Sequence, residues 1–274
     1  MKLQTTFVLI LTGLIGIATP RNAAACSVFY YYDEKSQTAF VANNEDYYLD
    51  QKVDIVIAPA RKDKSARIWY GWDDFAQGGV NEHGVFLDGA VTPEEEIPEG
   101  YRSPRGNIGD RILASCKTIE EALDLFERER IALKNAHVMI GDRSGRAVVV
   151  EWIDGERRLT WSQENHLVMT NFLLAAEVNA PRCGRHESIR ERIVAFRTQD
   201  EEATLLRVGN FIGGAVLLPR PDGEGRTIGT LYSTFLDLTN GQLVFVPRLD
   251  SSKAQKFDLT EEFGRKKGRK IVIR

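Results

Sequence analysis

Short runs rich in β-branched and aromatic residues recur in two blocks of this chain, with helical patterns between and after them, and this spacing sets the fold class. In the first block, residues 27–32 and 38–42 flank a turn at Asp33-Glu34-Lys35-Ser36-Gln37. Further strands are predicted over 53–58, 67–70, 79–81 and 85–90, the last two joined by Asn81-Glu82-His83-Gly84. The second block has strands over 136–140, 147–152, 157–161 and 166–170. Between the blocks lie a helix over about 109–115 and another that starts at Thr118. There Glu121 completes a capping box, and Ile119, Ala122, Leu123 and Phe126 make one apolar face. Helical pattern returns over 187–197 and 201–211, and strands over 230–238 and 242–246 close the series. No repeat or interdomain linker interrupts the pattern. It describes one layered α+β domain over residues 26–274.

Residues 1–25 read as an export signal. Lys2 supplies the positive start, residues 7–18 the apolar stretch, and Ala23-Ala24-Ala25 the small-residue cleavage site. The apolar stretch ends at Thr19-Pro20-Arg21, too short to cross a bilayer core of ~30 Å. The expectation is a protein in the periplasm or outside the cell, without a membrane span once the signal is gone. Removing Lys2 and Arg21 makes a formal charge of −3 more negative, so no basic excess points to nucleic acid. The basic residues Arg265, Lys266, Lys267, Arg269, Lys270 and Arg274 read as a solvated terminus.

Cleavage after Ala25 would leave Cys26 at the chain terminus, with a thiol and an α-amine on one residue. Such an amine, with an ordinary pKa of ~7.7–8.0, can take the thiol proton and let the thiolate attack an amide carbonyl. No metal or cofactor is needed, and His83, His137, His166 and His186 have no metal-ligand spacing. Cys116 and Cys183 are left as a possible bridge or as two buried thiols. A hairpin centred near Lys35 would set Cys26 opposite Asn44, with Asn43 and Asp46 close by. Asp46 could then hold the amine. Asn171 is a candidate oxyanion donor, and Arg190 and Arg192 are candidate cations on a predicted helix.

The ordered set Cys26-Ser27, Asn44-Glu45-Asp46-Tyr47, Asn81-Glu82-His83-Gly84-Val85, Asp142-Arg143-Ser144-Gly145, Val168-Met169-Thr170-Asn171, Ser188-Ile189-Arg190 and Tyr232-Ser233-Thr234-Phe235-Leu236-Asp237 resembles the choloylglycine hydrolase and penicillin V acylase family. It is similar as well to the neighbouring acyltransferase-type members of these N-terminal-nucleophile (Ntn) hydrolases. The resemblance implies a four-layer αββα sandwich and a linear-amide hydrolase with Cys26 as nucleophile. It implies Asp46 orienting the α-amine, Asn171 donating to the oxyanion and Arg190 beside the thiol. Two positions depart from the family pattern: Asn43 stands where the family has arginine, and Ala90 or Val91 where it has a second oxyanion side chain. Both weigh against bile-salt or penicillin V specificity and leave the amidase class standing. The alternatives are acyl transfer to an amine on the same fold, and a lipoprotein that binds ligands with Cys26 lipidated and inert.

Overall fold

The computed structural model describes residues 26–176, 183–199 and 201–274, so the expected export segment, residues 1–25, lies outside the described residues. The first strands are β1 (Ser27–Asp33), β2 (Thr38–Tyr48), β3 (Val53–Ala58), β4 (Arg67–Trp72), β5 (Phe75–Asn81) and β6 (Phe86–Val91). Two helices, α1 (Ile108–Ser115) and α2 (Ile119–Arg128), lead to β7 (Ala136–Gly141), β8 (Ala147–Ile153), β9 (Glu156–Trp161) and β10 (His166–Met169). Then come α3 (Gly184–Arg197), α4 (Leu205–Gly209) and a 3-10 turn over Asn210–Ala215. The chain closes with β11 (Arg220–Pro221), β12 (Thr227–Asp237), β13 (Gln242–Pro247), β14 (Gln255–Asp258), α5 (Leu259–Phe263) and β15 (Arg269–Ile273).

These strands form two antiparallel sheets. The first runs β10-β1-β2-β12-β13-β14, with β11 on β12; the second runs β15-β3-β4-β5-β6-β7-β8-β9. Alternation along the strands sends one set of apolar side chains between the sheets: Val28, Tyr30 and Val41 from the first meet Ile55, Phe86 and Met139 from the second. The opposite face of the second sheet packs Leu87, Val138 and Val150 against Ile112, Leu123 and Phe126 of α1 and α2. The opposite face of the first sheet packs Phe29 and Tyr31 against Ile189, Ile193 and Phe211. The chain is therefore layered, with two antiparallel sheets stacked face to face and helices on their outer faces.

Most elements lie where the sequence places them, and Thr118 caps α2 by accepting from the Glu121 N–H at 3.2 Å. Two differ. The helix expected over 201–211 is α only for Leu205–Gly209, because Gly209, Gly213 and Gly214 favour a looser turn beyond it. The basic terminus is not simply solvated. Arg269–Ile273 adds a strand beside β3, its Lys270 paired with Asp54 at 2.7 Å. Cys116 lies buried under α1 and Cys183 starts α3; both are free thiols, so no bridge joins them.

Candidate active site

The β1–β2 hairpin carries the candidate nucleophile, and its register differs by one residue from the expected one. Asp33 pairs with Thr38 across a four-residue turn, so Ser27, not Cys26, faces Asn44. Two local features set the even loop: Gln37 takes a left-handed φ of 53°, and the Asp33 carboxylate accepts from the Ser36 N–H and hydroxyl at 3.0 and 2.6 Å. The shift brings Glu45 to the thiol. Cys26 Sγ donates to Glu45 Oε1 at 3.0 Å, both residues buried.

Three carboxyl groups gather behind this contact. Burial, reinforced by the Asp46 charge, raises the Glu45 pKa to about 7 despite the hydrogen bond from Cys26 and the nearby polar side chains of Asn43 and Tyr232. Burial likewise raises Asp46 to about 7, opposed by the Thr230 hydroxyl and the Arg185 charge. Asp88 is pushed well above the ordinary carboxylate range by burial and by Glu45. It accepts from Asn43 Nδ2 at 2.9 Å and from the Tyr70 hydroxyl at 3.1 Å. Burial first, then the Glu45 and Asp46 charges, hold the Cys26 thiol well above its usual pKa. With Cys26 still in peptide linkage, the thiol is a poor nucleophile.

Asp46 is fully buried. Its Oδ1 accepts from Thr230 Oγ1 at 2.6 Å, while Oδ2 has no hydrogen-bond partner among the described residues. The nearest cation is Arg185, whose Nη1 stands 3.6 Å from Oδ2. Arg185 also donates to the Cys26 carbonyl and the Ser27 hydroxyl, each at 3.0 Å, and to Asn171 Oδ1 at 2.9 Å. Asn171 in turn donates from Nδ2 to the Val91 carbonyl at 2.8 Å. One guanidinium thus ties the backbone of the candidate nucleophile to the candidate oxyanion residue.

Arg190 does not sit beside the thiol. It lines a separate groove of about 340 Å³ with His166, Trp161 and Phe172. Arg190 lies five positions along the helix from Arg185, which turns their side chains about 140° apart. Of the two, only Arg185 can face β1. Neither Arg185 nor Glu45 was legible in the sequence. Glu45 fell at the spacer position of its motif, and Arg185 stands in no recognisable spacing.

Behind Asn171, His137 and Glu151 form a buried pair at 2.7 Å between β7 and β8. The other His137 nitrogen meets the Thr170 carbonyl at 2.7 Å, and Glu151 accepts the Leu174 and Ala175 N–H groups at 2.8 and 2.9 Å. The pair fixes both ends of the segment that carries Asn171. Among the described residues no group of three His, Cys, Asp or Glu side chains converges to hold a metal ion. Beside Cys26 and Glu45 opens an apolar cavity of about 120 Å³.

Over residues 33–203, more than half its length, the chain matches the family model described as acyl-coenzyme A:6-aminopenicillanic acid acyl-transferase. The chain belongs to this family. Among solved structures it is similar to a conjugated bile acid hydrolase from Clostridium perfringens, at 16% identity and a TM-score of 0.69, covering 89% of this chain and 96% of that one. It is similar to the penicillin V acylase from Agrobacterium tumefaciens, at 19% identity and a TM-score of 0.69, covering 90% of each chain. A third is the Caenorhabditis elegans N-acylethanolamine-hydrolyzing acid amidase ortholog, at 13% identity and a TM-score of 0.53, covering 89% of this chain and 99% of that one. At these identities the likeness is one of fold. No curated protein matches the chain.

Proposed function

We propose that residues 1–25 direct export, that the chain is cut before Cys26, and that the product is an Ntn hydrolase of linear amides with the four-layer αββα fold of that class. The observation that carries this reading is the buried Asp46 Oδ2 beside Cys26, which receives no hydrogen bond and has only the Arg185 cation at 3.6 Å, with a second acceptor that receives no hydrogen bond in Glu45 Oε2. A buried acceptor left unpaired costs about 1–3 kcal/mol, more when charged. The α-ammonium released by cleavage would satisfy these atoms. It would also offset the negative field that keeps the thiol protonated.

In the mature enzyme the neutral α-amine, oriented by Asp46, takes the proton from Cys26 Sγ, and the sulfur attacks the amide carbonyl. The S–C bond forms as the carbonyl oxygen gains negative charge. Asn171 Nδ2 has a second hydrogen, beyond the one given to Val91, with which to meet that oxygen. No donor side chain stands at Ala90 or Val91, so a backbone N–H completes the oxyanion hole. Collapse breaks the C–N bond, and the amine leaves with the proton held by the α-ammonium. Water then attacks the thioester, gives its proton to the α-amine and releases the acid. The role expected of Arg190 passes to Arg185.

The relatives' names support this reading: one is a conjugated bile acid hydrolase, one a penicillin V acylase and one an N-acylethanolamine-hydrolyzing acid amidase ortholog. The family description favours a second one, transfer of the acyl group to an amine instead of water. Lipidation of Cys26 fits poorly, since a thiol 2% exposed between two sheets has no room for a lipid. Intact mass of the exported protein, before and after alkylation, tests the proposal. A chain beginning at unmodified, alkylatable Cys26 that hydrolyses an amide supports it. A diacylglycerol adduct or a retained residue 25 overturns it, and products formed with an added amine separate transfer from hydrolysis.

A further inference from the structure

Thr230 reaches Asp46 because β12 slips by one residue beside it. From Asp237↔Phe40 to Tyr232↔Glu45, the β12–β2 register leads toward Leu231 opposite Asp46. The pairing resumes instead with Thr230↔Asp46, and Leu231 is the extra residue of a β-bulge. Successive strand residues point to opposite faces in a regular strand, yet Leu231 and Tyr232 both enter the core between the sheets. The Leu231 carbonyl accepts the Arg248 N–H at 2.9 Å, which ties the bulge to the end of β13.

The slip puts a hydroxyl, not a leucine, opposite a buried carboxyl group, and the direction of that hydroxyl is set. The Leu217 N–H donates to Thr230 Oγ1 at 2.9 Å, and the Thr230 N–H donates to the Leu217 carbonyl at 2.8 Å. A threonine hydroxyl has one hydrogen to give, and the Leu217 nitrogen cannot accept it, so Thr230 Oγ1 gives it to Asp46 Oδ1 at 2.6 Å. This bond favours the ionised carboxylate and opposes the burial that lifts Asp46 to about 7. It also fixes the rotation of the carboxylate, with Oδ2 on the side of Arg185 Nη1 at 3.6 Å. The other titratable groups beside Asp46 are Cys26 and Glu45 of the hairpin.

Resting on the amidase reading above, we propose that Thr230 is a positioning residue: presented by the Leu231 bulge and aimed by the Leu217 N–H, it holds Asp46 with Oδ2 turned to the Cys26 α-amine. Thr230 is itself buried, and the Leu217 segment joins the site only through it. A residue nearly two hundred positions from the nucleophile in sequence thereby sets the geometry of its base.

The test compares Thr230→Val, which keeps the shape and loses the hydroxyl, with Thr230→Ser, which keeps the hydroxyl. On one amide substrate, Thr230→Val should lower kcat of the mature protein about ten- to a hundredfold with KM little changed, and Thr230→Ser should stay within about threefold of the parent. Equal losses in the two variants overturn the proposal, because the methyl group's packing would then explain them. An unchanged kcat in Thr230→Val, beside a large loss in Asp46→Asn, overturns it while the amidase stands. Where the valine variant does not fold, Thr230→Ala takes its place. If no amide is turned over, the catalytic reading fails, and Thr230 is judged on the uncut chain by carboxyl-carbon NMR of Asp46, assigned through Asp46→Asn. The Asp46 titration midpoint should rise in Thr230→Val and hold in Thr230→Ser. A midpoint unmoved in Thr230→Val, or moved equally in both, overturns the proposal.

Discussion

The Cys26 thiol donates to Glu45, a buried carboxyl group whose pKa burial lifts to about 7. Such an acceptor keeps the sulfur protonated until a positive charge arrives next to it. In Glu45→Gln the acceptor stays and its charge is lost. In the uncut chain, this change should increase the rate of thiol alkylation at pH 8 several-fold. Mass-resolved alkylation of Cys26 measures it, and an unchanged or slower rate would remove Glu45 from control of the thiol.

Stability of the uncut chain should depend on the same acids. Glu45 and Asp46 have pKa values of about 7 in the fold, against ordinary values of 4.5 and 3.8. Between those limits the folded chain binds more protons than the unfolded one, so its stability is fullest below about pH 4 and declines as pH rises through 7. The urea midpoint of the uncut chain should therefore fall between pH 5 and 8, and the fall should be shallower in Glu45→Gln. A chain beginning at Cys26 should fall less, since its ammonium pairs with the ionised acids. A midpoint that rises over this range would contradict the assignment.

How far the site was legible in the sequence follows from what kind of information each residue needs. Cys26 was marked by the small residues before it, and Asp46 by its short separation along a hairpin, which keeps it close in either register. Glu45 required the register itself, and that turned on one left-handed residue, Gln37, and on the Asp33 side chain in a loop that pattern alone leaves open. Arg185 required the phase of α3 relative to β1, a tertiary fact with no local signature. The two sheets were visible as alternating blocks, whereas β15 was hidden by its basic composition, which suits an exposed edge strand as well as a tail.

Arg185 and Arg190 make a paired comparison. Arg185 donates to the Cys26 carbonyl and to Asn171, so Arg185→Ala removes bonds to the nucleophile and to the oxyanion donor together. A bond involving a charged group contributes roughly 1.5–3 kcal/mol, and kcat should drop about ten- to a hundredfold. Arg190→Ala, in its separate groove, should leave kcat within about twofold. Steady-state kinetics on one amide substrate checks both, and a larger loss from Arg190→Ala would restore the role first expected of that residue.

His137 and Glu151 supply the last expectation. The His137 ring bridges the Thr170 carbonyl and the Glu151 carboxyl group, with a ring nitrogen 2.7 Å from each, and Glu151 also accepts two backbone N–H groups. His137→Phe removes both ring-nitrogen contacts and leaves a buried carboxyl group facing a ring. Destabilisation of about 3–5 kcal/mol is expected from that alone. The His137→Gln side chain ends in one amide and cannot bridge Glu151 and the Thr170 carbonyl as the ring does, so the segment bearing Asn171 loses one of its two ties. Glutamine should preserve the fold yet lower kcat tenfold or more with KM little changed, because the displaced donor acts on the oxyanion and not on the bound amide. A fall in melting temperature with unaltered kcat would make His137 a purely structural residue.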